Sequence, residues 1–131
     1  MNRPLTVIGQ LQERFRRNDL EGILELLSPD VSWIFYAPSV VPYAGSYQGH
    51  EGFRRWWEDL KRIGDKHFEL KQTITEGEMV VAVAHLRATV IATGRSFEYE
   101  LVQTYRVVDN QVTEVRQYFD SSSVVAALGG G

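Results

Sequence analysis

Polar and apolar residues alternate along the second half of this chain and recur at helical spacing along the first. From residue 67 to 120 the alternation passes through Phe68, Leu70, Gln72 and Ile74, then Val80 to Val90, then Phe97 to Val107, then Thr113 to Phe119. A period of two held over about a dozen residues predicts strands about twice the usual ~5–6 residue length. Twist accumulates along such strands, so four of them must coil into a curved sheet with a concave side. In the first half, Val7, Ile8, Leu11 and Phe15 form one helical stripe, with Pro4 suited to the first turn. Asp19 reads as the N-cap of a second, short helix carrying Ile23, Leu24 and Leu27, ended by Pro29-Asp30. Val31, Trp33 and Phe35 alternate as a first strand, and a Pro- and Gly-rich loop follows from Ala37 to Gly49. The stripe Phe53, Trp56, Trp57, Leu60 and Ile63 predicts a third helix from His50 to Ile63, stopped by Gly64. Asp120-Ser121-Ser122 can cap a last helix bearing Val124, Val125 and Leu128. The expected order is helix, helix, strand, loop, helix, four strands, helix. This is an α+β fold: a strongly curved, mostly antiparallel sheet whose helices enclose a pocket on the concave face. Residues 1–128 make one domain, and 129–131 read as a flexible glycine tail.

The charges test which face is which. A two-residue turn at Thr93-Gly94 sets Arg87 opposite Glu100 and Thr89 opposite Glu98. A three-residue turn over Asp109-Asn110-Gln111 sets Arg106 opposite Glu114. Opposite charges across strands are favourable, and both pairs fall on one face. That face, with His85, Arg116, Glu98 and Glu100, is expected to point outward. Leu86, Phe97, Tyr99, Leu101, Gln103 and Tyr105 then point inward, with Gln103 facing Gln117 as a pair of buried amides.

Composition narrows the function classes. A chain of 131 residues forms one core that buries a little under ~70% of its unfolded surface. A net charge of −3 gives no basic footprint for nucleic acid. No apolar run approaches the ~18 residues of a membrane span. The start, Met1-Asn2-Arg3-Pro4, lacks the apolar stretch of a signal peptide. There is no cysteine, which removes thiol chemistry and disulfides and fits a cytoplasmic location. His50 and His67 have no second ligand residue nearby, so no metal site is expected. No glycine-rich phosphate loop occurs, and no cofactor is implied.

Three stretches carry a resemblance. They are Pro42-Tyr43-Ala44-Gly45-Ser46-Tyr47-Gln48-Gly49 leading into Glu51-Gly52-Phe53; Ala92-Thr93-Gly94-Arg95-Ser96-Phe97; and Val115-Arg116-Gln117-Tyr118-Phe119-Asp120. With the element order, they make the chain resemble the SnoaL-like and ketosteroid-isomerase-like branch of the NTF2-like superfamily. The last two also resemble limonene epoxide hydrolase relatives. This implies a cone-shaped α+β fold, a small hydrophobic ligand of polyketide, steroid or terpenoid type, and a homodimer formed through the convex sheet face.

The family's catalytic acids do not carry over. The positions where ketosteroid isomerases hold a tyrosine, a base aspartate and a protonated aspartate fall on Leu11, Phe35 and Gln103. The Asp-Arg-Asp set of the epoxide hydrolases falls on Leu86, Ala84 and Gln117. The acid of the polyketide cyclases also falls on Gln117. Tyr36 lies near the water-positioning tyrosine of the epoxide hydrolases. The resemblance therefore leaves Tyr36, Gln103 and Gln117 as candidate catalytic residues. Trp33, Phe35, Tyr43, Trp57, Leu86, Tyr99 and Leu101 are the candidate ligand wall. Each has a plainer reading. The glutamines can satisfy each other, the tryptophans have the spacing of a buried stripe, and Tyr43 and Tyr47 can simply pack a loop. Asp120 reads as a helix cap. Two functions stay open: a cofactor-independent cyclase or isomerase working by shape and hydrogen-bond polarisation, and a non-catalytic binder.

Overall fold

The computed structural model describes residues Arg3 to Gly129; the predicted signal-free start and glycine tail otherwise lie outside the described residues. Four helices pack on a six-stranded sheet: α1 (Arg3–Arg16), α2 (Leu20–Leu26), β1 (Leu27–Tyr36), β2 (Gly45–Gln48), α3 (Gly49–Leu60), β3 (Ile63–Glu76), β4 (Met79–Val90), β5 (Ser96–Val108), β6 (Gln111–Phe119) and α4 (Ser122–Ala127). The strand order is β2-β1-β6-β5-β4-β3, and the sheet is antiparallel except where β1 runs parallel to β6. It is curved and does not close on itself.

The expected alternation fixes the faces correctly. Phe97, Tyr99, Leu101, Gln103 and Tyr105 are all buried, and the residues between them are exposed or half-buried. Arg106 pairs with Glu114 as predicted. The route differs: the turn is only Asp109-Asn110, both left-handed at φ 51 and 64, and a bulge beside Val107 takes up the extra residue. The β4–β5 register is corrected by two residues. Arg87 faces Glu98 and His85 faces Glu100, because the loop spans four residues, from Ile91 to Gly94. The ring is closed by Gly94 N donating to Val90 O at 2.8 Å. A slip of two preserves the face, so the inward set is unchanged.

Other boundaries move. The third helix ends at Leu60, and Ile63 and Gly64 already belong to β3, paired with Val90 and Thr89. Pro29-Asp30 lies inside β1, at an irregularity between Leu27 and Ser32. The loop after β1 holds the short strand β2. There the chain turns tightly into α3. A Cβ at Gly52 would sit 2.9 Å from the Tyr47 backbone, which is why glycine occupies that close approach. Asp19 caps α2 as expected, accepting from Gly22 N at 3.0 Å. Asp120 likewise accepts from Ser122 N at 3.0 Å, and this bond holds its carboxyl below the ordinary range.

The largest departure is β3. Two bulges, between Gly64 and His67 and between Leu70 and Gln72, reset its phase. Phe68 and Leu70 oppose Leu86 and Ala84 and so face inward, but Gln72 and Ile74 oppose Val83 and Val81 and face outward. The predicted single stripe Phe68–Leu70–Gln72–Ile74 is thus split between two faces.

Candidate functional site

The helices cover one end of the concave face with aromatic rings. Phe15 of α1, Trp33 of β1 and Phe53 and Trp56 of α3 form the plug, Trp33 and Phe53 edge-to-face at 4.7 Å. Beyond the plug the cone is hollow, with a cavity of about 640 Å³. Its far wall is β5, whose Tyr99, Leu101, Gln103 and Tyr105 follow one another at every second residue. Leu86 of β4, Phe68 and Leu70 of β3, and Gln117 of β6 extend that wall.

All the sequence-predicted site residues except Tyr36 line this one cavity: Trp33, Phe35, Tyr43, Trp57, Leu86, Tyr99, Leu101, Gln103 and Gln117. Tyr36 is the correction. It follows inward-facing Phe35 on the same strand, so it points to the convex face, where it is 44% exposed and stacks on Tyr118 at 4.9 Å. Its ring is on the wrong side of the sheet to meet anything in the cavity. Phe15, Trp56, Tyr105 and Lys66 also line the cavity and were not among the predicted site residues. The first three were legible as inward or stripe positions. Nothing in the local sequence marks Lys66.

Two polar pairs stand in the apolar wall. Gln103 Nε2 donates to Gln117 Oε1 at 3.0 Å, in the predicted register. Both side chains are buried, yet Gln103 Oε1 and Gln117 Nε2 have no partner. The pair therefore offers one acceptor and one donor. Four residues from Gln103 along β5, the Tyr99 hydroxyl lies 3.1 Å from that of Tyr43. Burial pushes the Tyr43 phenol up to about 12, against a smaller opposing effect of its bond to Tyr99. Burial raises Tyr99 further, and Tyr43 adds to that. Both phenols are neutral near physiological pH. One donates to the other, which keeps its own proton for a further acceptor. Burial also raises Tyr105, whose hydroxyl receives a long bond from Gln12 Nε2 at 3.4 Å. The indole nitrogens of Trp33 and Trp56 are further buried donors without partners. Tyr47 serves the loop instead, donating to the Asp59 carboxylate at 2.9 Å.

Among the described residues that line the cavity there is no aspartate or glutamate. No group of three histidines, aspartates or glutamates among the described residues could hold a metal ion. His50 instead bonds the Leu27 carbonyl through Nε2 at 2.9 Å, and His85 meets Glu98 at 2.9 Å on the outer face. No helix of the described residues is long and apolar enough to cross a membrane. The cavity can thus bury an apolar body, hold a carbonyl or hydroxyl, and polarise it with neutral donors.

Known structures share this architecture. An NTF2-like protein of unknown function from Burkholderia pseudomallei superposes at TM-score 0.89, with 24% identity over 98% of each chain. TerC, co-crystallised with polyporic acid, superposes at 0.87, with 22% identity over 98% of this chain and 99% of that one. A hypothetical protein of ketosteroid isomerase-like fold from Catenulispora acidiphila, in complex with trimethylamine, superposes at 0.78, with 15% identity over 94% and 92%. At these identities the likeness is one of fold. No curated protein matches the chain. The SnoaL-like domain model matches residues 8–115, most of the chain, and the protein accordingly belongs to the SnoaL-like family of the NTF2-like fold.

Proposed function

We propose that the protein binds a small, largely apolar, ring-containing molecule in the cone and orients it through an oxygen held by Gln103 and Gln117. The observation that carries this is the half-satisfied amide pair. Buried polar groups normally have partners, and an orphaned one costs about 1–3 kcal/mol. A ligand hydroxyl that accepts from Gln117 Nε2 and donates to Gln103 Oε1 removes that cost, and a carbonyl that accepts from Gln117 Nε2 removes the donor's share of it. The Tyr43–Tyr99 pair supplies a second, neutral donor. TerC, of the same fold, was crystallised with polyporic acid, which supports a ligand of this size class.

Binding comes first in this reading, and chemistry is limited to what shape, desolvation and polarisation can do. An amide takes no proton near neutral pH, and each missing general base forgoes ~10²–10⁴-fold. A cyclisation or isomerisation of an already reactive substrate fits; steroid double-bond migration and epoxide opening do not. The test is a titration with anthraquinone followed by quenching of Trp33, Trp56 and Trp57. Saturable quenching is expected, weakened about fivefold or more when Gln103→Leu and Gln117→Leu are combined. No saturable quenching would sink the proposal. Turnover of a ketosteroid or of limonene oxide with a pH profile showing an essential base would overturn the carboxylate-free account.

We also propose a homodimer through the convex face. There a row of facing residues, Gln72, Val83, Val102, Tyr118 and Tyr36, crosses the sheet. Val102 and Tyr118 are 38% and 41% exposed, and Ile74, next to Gln72 on the outer face of β3, is 54% exposed. That is an apolar band between charged flanks. Light scattering at micromolar concentration that shows only a 15.0 kDa species would reject it.

A further inference from the structure

The first bulge of β3 has a chemical consequence. Gly64 pairs with Thr89 and His67 with Arg87, so Asp65 and Lys66 together oppose the single residue Ala88. Ala88 is buried on the concave side. Without the extra residue, Lys66 would fall opposite Arg87 and point to the convex face, since one residue of slip flips a side chain. Asp65 absorbs the insertion in a left-handed conformation, φ 48. The bulge thereby turns Lys66 inward, where it lines the cavity. Bulges beside functional sites do this: they re-aim a side chain at the expense of regular pairing.

On resting on the cavity as a ligand site, we propose that Lys66 anchors an acidic oxygen (a carboxylate, sulfonate or acidic enol) at one end of the ligand. Gln103 and Gln117 then take a hydrogen-bonding oxygen at the other end. Three observations converge on this. Among the described residues no carboxylate lines the cavity and none bonds to Lys66. Arg16, which lines the cavity from α1, is already ion-paired with Glu13 of its own helix, whereas no ion pair among the described residues engages Lys66. Finally, the polar ends are well separated. Lys66 opposes Ala88 and Gln103 opposes Ala82 on the same strand. At ~3.3 Å per residue, those two alanines lie about 20 Å apart along β4. Between them the wall is Leu86, Phe68, Leu70, Tyr99 and Leu101, all apolar or aromatic. The geometry describes an elongated aromatic acid rather than the neutral hydrophobic molecule that the missing carboxylates alone suggest.

Two probes with one ring body separate the charge from the cavity: anilinonaphthalene sulfonate and N-phenylnaphthylamine, which lacks the sulfonate. Both are titrated by fluorescence against the wild type and against Lys66→Met, Lys66→Arg and Arg16→Gln. Lys66→Met is expected to weaken the sulfonate probe about five- to tenfold and the neutral probe less than about twofold. Lys66→Arg should keep most of the sulfonate affinity, Arg16→Gln should change it less than about twofold, and added salt should erode the wild-type affinity for the sulfonate only. An equal effect of Lys66→Met on both probes, or none on either, overturns the anchor while leaving the cavity reading intact. Failure of the neutral probe to bind the wild type overturns the cavity reading and this inference with it.

Discussion

β3 and β5 are long strands of one sheet, 14 and 13 residues, with similar alternation in sequence, yet they are buried differently. β5 is central, between β4 and β6, and buries every second side chain along its inward face. β3 is the edge, and from Asp65 to Gln72 every residue is exposed. Phe68 and Leu70 face the concave side but remain 41% and 42% exposed, because they border open cavity rather than packed helix. The difference teaches where the cone is filled and where it is open. Pattern alone cannot tell a wall from a core, since both ask for an apolar side chain on the same face.

The strongest way to break this comparison is to truncate one aromatic ring on each strand. Phe97, 5% exposed and outside the cavity lining, should cost about 3–5 kcal/mol as Phe97→Ala. Phe68→Ala should cost under about 1 kcal/mol. Urea unfolding of both variants decides it; equal losses would mean that β3 is packed like β5 and that the opening lies elsewhere.

Alkali sharpens the comparison next, because β5 carries two of the buried phenols. Burial raises the folded-state value of Tyr43 from 10.0 to about 12, and raises Tyr99 and Tyr105 as well. Above pH 10 the unfolded chain loses these protons while the folded protein keeps them, so unfolding is favoured as pH rises. For Tyr43 alone, stability present below pH 10 should be lost on the order of 2–3 kcal/mol by about pH 12. Circular dichroism and tyrosinate absorbance should change together in that window. Tyrosinate signal from a still-folded protein, accounting for all the tyrosines, would show that the β5 wall is wet.

A smaller effect tests the amide pair on β5 and β6. Gln117→Leu leaves the Gln103 donor buried without its acceptor and should cost about 1–3 kcal/mol. The double change with Gln103→Leu should cost less than the sum of the single ones, because both ends of the bond leave together. Additive losses would show the two amides to be independent. The least effect is expected on the outer face. Arg106 lies 3.4 Å from Glu78, both about half exposed, and Arg106→Gln should shift stability by no more than about 0.5 kcal/mol.

Much of the fold was legible in the residues. The helical stripes, the cap at Asp19, the long strands and the pairing of Gln103 with Gln117 follow from period and charge. The mis-set hairpin of β4 and β5 did no harm to the site, because its error was two residues and parity survived. Tyr36 differs for the opposite reason: only likeness to other proteins points to it, and one step along a strand separates the cavity from the convex face.

The sequence by itself determined which residues face inward on β4, β5 and β6, and that no carboxylate stands among them. It could do so because alternation is a local property, carried by each strand without reference to its neighbours. Only the tertiary structure decided that Asp65 and Lys66 share one partner on β4, that Gln72 and Ile74 turn outward, and that the cone stays open along β3. A bulge is one residue more on one strand than on the next. That count exists only between strands, so a chain read one residue after another does not contain it.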